Sequence, residues 1–189
     1  MGKPGKSSRP SALLSARWQD IDLTARLWHI PAADMKTKHP FTVPLSDWAV
    51  EILRELHTQT GDNIHLFPGI RPRRKPAHPD HISIKFAHNA IRRLGYDGST
   101  PGKSKHTMHG FLHLFTNISL TAGKDTLTTD LALGHISRAA LQRAGFSSLH
   151  HYLTADSYRL QERRELAEWY SRRHRQAYEA AAQNTCNKT

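Results

Sequence analysis

The sequence predicts an α+β fold that is mostly helical and contains one small antiparallel hairpin. Two observations lead to this prediction. Apolar residues recur at helical spacing, i, i+3, i+4 and i+7, in several separate segments. One pair of short β-prone segments, Leu27–Ile30 and Phe41–Val43, is separated by the polar residues 31–40 and is typical of a hairpin. Helices segregated from a few antiparallel strands define the α+β class.

The segment before the hairpin is predicted to contain one short helix. Residues 1–8 are rich in glycine, proline, lysine and serine, which is typical of a disordered basic tail. A helix is expected over residues 10–18. Asp20 and Asp22 then indicate a turn that leads into the first strand.

A longer helix is predicted directly after the hairpin. Ser46 is a favourable N-cap for a helix that runs to Thr60, and Gly61 indicates its end. The apolar stripe of this helix is expected to consist of Ala49, Ile52, Leu53 and Leu56.

The middle of the chain alternates polar loops with one helix. Residues 68–80 contain four prolines and a cluster of basic side chains, which is typical of an exposed loop. A helix is expected over residues 81–94, ended by Gly95. A second polar loop covers residues 96–106.

Three further helices are predicted in the last part of the chain. The first has an apolar stripe of Phe111, Leu114, Phe115 and Ile118 and ends near Gly123. The second covers residues 127–133. The third is long, from about 157 to 178, and is expected to direct Leu166, Trp169 and Tyr170 inward.

Charge and composition restrict the class of partner. The 189 residues include 27 Lys and Arg against 16 Asp and Glu, a formal net charge of +11. Such a field favours a polyanion, with nucleic acid first and an anionic membrane second. A single cysteine, Cys186, excludes an internal disulfide framework and a cysteine-based zinc site. No apolar segment reaches the roughly 20 residues that a membrane span needs.

Four places could carry chemistry, and each also has a purely structural interpretation. Lys36 is either a solvated turn lysine or a cation that reaches a phosphate. His109 begins a predicted helix and shares a face with Leu112, which lies off the predicted apolar stripe. His135 follows Leu133 and Gly134. Tyr152 follows two histidines and is otherwise typical of a packing residue.

A histidine pair on the same helix could in principle bind zinc. His109 and His113 have the i, i+4 spacing of H-x-x-x-H. Gly110 stands where the motif H-E-x-x-H has its glutamate, so the general base of a metallohydrolase is missing. This spacing therefore gives little support to a metal-dependent hydrolase.

In their order along the chain, several segments resemble the catalytic domain of tyrosine recombinases, and in particular prophage integrases. The segments are RPSALLSARWQDIDL, MKTKHPFTVPLS, HLFPG, AIRRLGYDG, HTMHGFLHLFTN, LALGH and, around Tyr152 and beyond, ERRELAEWYS. The resemblance covers roughly residues 9–172 and implies the DNA breaking-rejoining fold of that family. It implies a truncated catalytic domain over residues 9–178, between the basic tail and a flexible tail at 179–189.

The resemblance also implies a set of site residues. Its catalytic members are Arg9, Lys36, His109, His135 and Tyr152. Tyr158 competes with Tyr152 but better matches the tyrosine that begins the following Y-x-x-x-x-R-R helix. In this family a tyrosine attacks a DNA phosphodiester and forms a 3′-phosphotyrosyl link, without a metal ion or any other cofactor.

Two positions depart from the family pattern. The motif H-x-x-R is represented by His109-Gly110-Phe111-Leu112, so that leucine replaces the second arginine. Ala12 stands where the family has an acidic residue three positions after the first arginine. Loss of one charge-stabilising donor costs on the order of 10²–10³ in rate, so we expect impaired catalysis. The alternatives are a catalytically inactive DNA-binding remnant and an unrelated helical module that binds nucleic acid.

The expected partner is double-stranded DNA. Its contacts are predicted at basic residues of the two polar loops and the helix between them: Arg71, Arg73, Arg74, Lys75, Arg92, Arg93, Lys103 and Lys105. Neither a membrane nor a small-molecule substrate is expected. The resemblance implies a bacterial cytoplasmic protein associated with the nucleoid, and it leaves self-association as a tetramer on DNA open.

Overall fold

A computed structural model describes residues 9–35, 39–69, 80–134 and 158–186, with the side chains of Arg9 and of residues 184–186 outside this description. This part of the chain contains six α-helices and one small sheet. The helices are α1 (Arg9–Leu14), α2 (Asp47–Thr60), α3 (Ile84–Arg93), α4 (Gly110–Thr121), α5 (Thr126–Ala132) and α6 (Leu160–Cys186).

The sheet has three antiparallel strands in the order β1-β2-β3. They are β1 (Ile21–Asp22), β2 (Leu27–Ile30) and β3 (Phe41–Pro44). The two strands predicted from sequence are confirmed. The interpretation of Asp20 and Asp22 as a simple turn is wrong in part, because Asp22 pairs with Leu27 in β1. Asp22 also accepts hydrogen bonds from Thr24 and Ala25, so one carboxylate closes the turn that follows its own strand.

One face of the sheet packs against α1. Ala12, Ile30 and Met35 are buried together, and Trp28, Phe41 and Val43 pack against them. The predicted helix over 10–18 is shorter than expected and ends at Leu14. After it, Trp18–Asp20 forms a separate 3-10 turn, and the indole of Trp18 donates to the carbonyl of Thr60.

Helix α2 begins and ends where the sequence predicted, but the residue that it buries is not one of the predicted stripe. The Ser46 hydroxyl accepts a hydrogen bond from the Ala49 N–H, as expected of an N-cap. Val50 is buried, whereas Ile52 is 49 % exposed. The prediction that Ile52 faces the core is therefore wrong. The contacts from α6 reach residues 46–51, so α2 is covered mainly at its beginning.

Helix α3 begins later than predicted, at Ile84, where the Ser83 hydroxyl accepts from the Phe86 N–H. His81 instead forms an isolated β-bridge with Pro68. Gly95 has φ +88°, a left-handed conformation that permits the sharp end of the helix.

Helix α4 presents a different face to the interior from the predicted one. Phe111 is 49 % exposed and Leu114 36 %, whereas Ser119 is fully buried. Leu112, Phe115 and Thr116 are half-buried and share the face of Ser119 at helical spacing. The predicted stripe is therefore wrong at Phe111 and Leu114, whereas its other two members, Phe115 and Ile118, are half-buried. The real inward face contains a serine and a threonine, which a hydrophobicity pattern does not detect.

Helices α5 and α6 pack against each other, and α6 also packs against β3. Asp125 caps α5 by accepting from the Thr128 N–H. Leu166 is buried, as predicted, and the half-buried Tyr170 meets the Phe115 ring edge-on at 4.8 Å between centroids. Helix α6 extends to Cys186, beyond the predicted end near 178, because the alanines at 180–182 strongly favour a helix.

Candidate functional site

The amino-terminus of α4 presents His109 at an exposed position. His109 is the N-cap residue, and its ring lies 4.9 Å from that of His113 one turn later. The helical prediction for His109 is thereby confirmed. At this helix end the Gly110 N–H donates to the carbonyl and hydroxyl of Thr107, and the Leu112 N–H donates to the His109 carbonyl. The exposed His109 ring is therefore the group that can contact a phosphate near the helix end.

The His106 ring packs close to Gly110, the residue that follows His109. A methyl group built on Gly110 would lie 3.1 Å from Cε1 of His106, so a larger residue at position 110 would require the His106 ring to shift by a few tenths of an ångström. The His106 ring also meets the Phe111 ring edge-on at 4.3 Å, and its backbone N–H donates to the Tyr96 carbonyl. Sequence reasoning missed His106. Its spacing of three residues from His109 is the signal that could have indicated it.

Leu112 lies on the inward face of α4, three residues after His109. Its side chain is half-buried, and its carbonyl accepts from the Thr116 hydroxyl at 3.0 Å. The expectation that Leu112 lies off the apolar face is wrong, because that face runs through Leu112, Phe115 and Ser119. Leucine has no polar side-chain atom, so position 112 contributes neither charge nor a hydrogen-bond donor.

Position 12 is part of the apolar core. Ala12 is 4 % exposed and packs with Ile30 and Met35. A carboxylate buried at this position would need a charged or hydrogen-bonding partner to compensate for its desolvation. The first turn of α1 therefore provides Arg9 with no acidic partner from position 12.

The described basic residues predicted to contact DNA differ in their surroundings. Arg92 and Arg93, in the last turn of α3, are exposed, as is Lys105 in the loop after it. Lys103 is already engaged. Its ammonium donates to the Leu94 carbonyl at 2.8 Å and lies 5.2 Å from the centre of the Tyr96 ring. Lys103 therefore stabilises the end of α3, whereas the other three basic side chains extend into solvent.

A charged cluster joins α5 to the start of α6. The Asp125 carboxylate accepts from the Thr128 hydroxyl and from the Arg159 guanidinium, both at 2.7 Å. The hydrogen bonds from Thr128, followed by the charge of Arg159, lower the pKa of Asp125 below its ordinary value of 3.8. Arg159 has φ +48°, an unfavourable conformation for arginine that these contacts help to hold.

Comparison with known families matches residues 6–143 of this chain to the model described as "Phage integrase family". The chain belongs to the phage integrase family. It is 30 % identical over 164 residues to prophage integrase IntA of Escherichia coli K12, covering 87 % of this chain and 35 % of that protein. The integrase of enterobacteria phage P4 is 30 % identical over 179 residues, covering 86 % and 36 %. The chain thus spans about a third of the length of these relatives.

Two solved structures share the fold of this phage integrase family member. XerA recombinase superposes with a TM-score of 0.53 at 23 % identity, over 70 % of this chain and 46 % of that one. The integrase of mycobacterium phage Brujita gives a TM-score of 0.53 at 21 % identity, over 86 % and 47 %. The predicted class, a mostly helical α+β tyrosine recombinase fold with a small antiparallel sheet, is confirmed.

Several predicted site residues of this family member lie outside the described residues. They are Lys36, Arg71, Arg73, Arg74, Lys75, His135 and Tyr152. Helix α1 begins at Arg9, and Tyr158 is half-buried with the Arg159 guanidinium 6.0 Å from its ring centre. Among the described residues, the predicted site is thus represented by His109, Leu112 and the exposed basic residues Arg92, Arg93 and Lys105.

The histidine pair of α4 has no further ligand beside it in the described part of the chain. No group of three or more His, Cys, Asp or Glu side chains there is arranged to hold a metal ion. His109 and His113 therefore form a ring contact and no metal centre among these residues. No described helix is long and apolar enough to cross a membrane.

Proposed function

We propose that this chain is the catalytic domain of a tyrosine recombinase for site-specific DNA recombination and integration, and that its catalysis is impaired. Membership of the phage integrase family supports the recombinase assignment. The observation on which the impairment rests is Leu112, on the inward face of α4 three residues after the exposed His109.

In the proposed reaction, the Tyr152 hydroxyl oxygen attacks a DNA phosphorus and the bond from phosphorus to the 5′ oxygen breaks. His109 and His135 hydrogen-bond the phosphate, and one imidazole of this pair takes up the single tyrosine proton as the new phosphorus–oxygen bond forms. Lys36 donates a proton to the departing 5′ oxygen. The resulting 3′-phosphotyrosyl bond conserves the energy needed for religation.

The two arginines of the family pattern would hold the phosphate oxygens as negative charge develops on them. In this chain Arg9 is the remaining member of that pair. Without the second donor, the rate is expected to fall on the order of 10²–10³. A phosphate oxygen placed against Leu112 would also lose water without gaining a hydrogen bond.

The same two departures support a second candidate function, a DNA-binding protein that has lost the chemistry. Leu112 removes a donor, and the buried Ala12 leaves Arg9 without the acidic partner of the family pattern. The exposed Arg92, Arg93 and Lys105 would still attract a polyanion. Covalent linkage to DNA separates the two candidates.

The test is covalent trapping on a nicked suicide DNA built from the ends of the mobile element that carries the gene. The parent and Leu112→Arg are compared, and Leu112→Arg is expected to accumulate covalent complex about 10² times faster. Leu120→Arg adds the same charge at an exposed position of α4 and serves as the matched control. Tyr152→Phe is expected to abolish the product in every background.

Each outcome distinguishes the proposals. A complex formed by the parent at the rate of Leu112→Arg would show that Leu112 does not impair the site. A complex formed only by Leu112→Arg supports the impaired recombinase. If neither links while both bind DNA at low salt, the binding remnant is the better description.

A further inference from the structure

Among the described residues, two pairs of histidine rings are in contact, and the two pairs differ in their hydrogen bonds. The rings of His65 and His81 lie 5.2 Å apart between centroids. Nδ1 of His65 donates to the Ser15 carbonyl at 3.0 Å. Nδ1 of His81 donates to the Ile82 carbonyl at 2.9 Å. Both rings of this pair are therefore engaged with the backbone and hold the fold.

The second pair consists of His109, the N-cap of α4, and His113, one turn later. Their centroids are 4.9 Å apart, and both side chains are exposed. Neither ring makes a hydrogen bond or an ion pair with another described residue. The ring nitrogens of this pair therefore remain available to a ligand, in contrast to those of His65 and His81.

Helix α4, which bears the second pair, is fixed on both sides of it. At its beginning, the Gly110 N–H donates to the carbonyl and hydroxyl of Thr107, and the His106 ring packs beside Gly110. On its inward face, Phe115 meets the Tyr170 ring of α6 edge-on. The fold therefore presents the two imidazoles together at a set position.

His113 lies as close to His109 around the helix axis as position 112 does. With 3.6 residues per turn, residue 113 lies about 40° from residue 109, and residue 112 lies about 60° from it on the other side. Leu112 carries no donor and no charge. A donor at position 113 therefore reaches a phosphate bound at His109 from the side opposite to Leu112.

The chemistry of an imidazole pair suits a phosphate. A protonated imidazole has two N–H donors and a positive charge, and its hydrogen bonds to an anion are about twice as strong as those between neutral groups. Imidazoles take up protons near neutral pH. A phosphate bound beside His109 favours the protonated, donating form of His113, because an opposite charge nearby stabilises a cation.

We propose that His109 and His113 form a two-histidine phosphate site, in which His113 is a further catalytic residue that supplies part of the donation missing at position 112. This inference rests on the proposed function. Negative charge grows on the non-bridging oxygens of the scissile phosphate as it is attacked. His113 stabilises that charge by N–H donation. Its proton stays on the ring, and no bond to His113 forms or breaks.

The first test measures this contact without requiring catalysis. In the Tyr152→Phe background, affinity is measured at about pH 6, where an ordinary imidazole is largely protonated. The DNA carries either a phosphodiester or a neutral methylphosphonate at the scissile position. His113→Phe keeps a ring beside His109 but removes the donors and the charge. It is expected to weaken binding about tenfold on the phosphodiester DNA and less than threefold on the methylphosphonate DNA. The same factor on both DNAs, including no change on either, overturns the proposal.

Two further variants separate donation from packing. His57→Phe changes an exposed histidine of α2 that also lies in a ring contact, 4.7 Å from Trp18, and is expected to leave both affinities unchanged. His113→Arg loses the imidazole but keeps a cation that can donate to two phosphate oxygens, so it is expected to bind the phosphodiester DNA at least as well as the parent. A purely structural ring contact predicts the reverse order, with His113→Phe equal to the parent and His113→Arg weaker.

The second test asks whether His113 compensates for the missing arginine. Covalent complex formation on the nicked suicide DNA is measured in the parent and in Leu112→Arg. His113→Phe is expected to slow the parent about tenfold but Leu112→Arg less than threefold, because the new arginine supplies the second donor. His113→Arg in the parent is expected to accelerate the reaction about tenfold, which decides the test where the parent itself is too slow to compare. Equal factors in the two backgrounds, or no acceleration by His113→Arg, overturn the compensating role.

The two tests also separate this inference from the proposed function. If Leu112→Arg forms no covalent complex, the proposed function fails, while the methylphosphonate comparison still decides whether His113 contacts that phosphate. If Leu112→Arg forms the complex and His113→Phe binds both DNAs as the parent does, the recombinase assignment stands and the two-histidine site is wrong.

Discussion

Three arginines in α6 and directly before it have environments opposite to those of the two arginines of α3. Arg163 is buried against β3, Arg159 is paired with Asp125, and Arg175 is paired with Glu51 on α2. Arg92 and Arg93 of α3 are exposed. The net charge of +11 counts both groups alike. The comparison indicates that Arg159, Arg163 and Arg175 hold the fold, whereas Arg92 and Arg93 remain available to a polyanion.

The largest effect is expected where α6 packs in the interior. Leu166 is 5 % exposed, so Leu166→Ala removes buried methyl groups and leaves a cavity. The free energy of unfolding is expected to fall by about 2–5 kcal/mol. Urea denaturation followed by circular dichroism measures this change. Leu120→Ala, at a 42 % exposed position, is the matched control and is expected to change the stability little.

DNA binding by Leu166→Ala tests whether α6 also takes part in the contact with DNA. Because Leu166 lies on the packed side of the molecule, the fraction of Leu166→Ala that remains folded should bind DNA with the parent's salt dependence. A changed salt dependence would mean that α6 contributes directly to the DNA surface.

A smaller effect, on binding alone, is expected for the exposed pair on α3. Replacing Arg92 and Arg93 together by glutamine should reduce the slope of log K against log salt concentration by about 1 for each phosphate that is no longer neutralised. The exposed pair Arg172 and Arg173 on α6, replaced in the same way, provides the matched control. Fluorescence anisotropy over a salt series measures both. Equal slopes for the two double variants would show that the exposed arginines of α3 and of α6 contact DNA alike.

Local signals predicted much of the fold. The strands β2 and β3 and the Ser46 cap depend on short-range preferences, and the structure places them where the sequence indicated. The inward face of α4 depends instead on neighbours distant in sequence. Ser119 is fully buried there, whereas Phe111 packs on His106 at the surface. A prediction based on hydrophobicity alone therefore places Phe111 in the interior and Ser119 at the surface, the reverse of what the structure has.

The candidate site was predictable only in part for the same reason. His109 at the beginning of α4 followed from motif order and helix position. His106 gave no such signal, because a histidine in a polar loop is an ordinary surface residue by composition. Its importance comes from contacts with Gly110 and Tyr96, which join α4 to the loop after α3.

The junction of α5 and α6 should give a pH-dependent contribution to stability. The pKa of Asp125 in the folded protein lies below its ordinary value of 3.8. Its contribution is therefore fully present above that value and is lost as the pH falls through the lower, folded pKa. Asp125→Ala should lower the free energy of unfolding by about 0.5–2 kcal/mol at neutral pH, mainly through the loss of the helix cap.

The measurement is the difference in unfolding free energy between the parent and Asp125→Ala from pH 7 to pH 2. That difference should shrink below about pH 4. Hydrogen bonds from Ser99 also lower the pKa of Asp97, which is present in both proteins. Taking the difference between the two unfolding free energies at each pH removes this shared contribution. A difference that stays constant down to pH 2 would show that the charge of Asp125 does not stabilise this junction.

The smallest effects separate two lysines of one loop. Lys103 donates to the Leu94 carbonyl at the end of α3, so Lys103→Gln should lower the stability by about 0.3–1 kcal/mol. Lys105 is exposed, and Lys105→Gln should instead reduce the salt dependence of DNA binding without changing the stability. Denaturation and anisotropy on both variants test this crossover. If Lys103→Gln changed only DNA binding, the contacts of Lys103 with Leu94 and Tyr96 would not contribute to stability. Lys103 and Lys105 would then have the same role, and the distinction between basic residues that stabilise the fold and those that contact DNA would not hold in this loop.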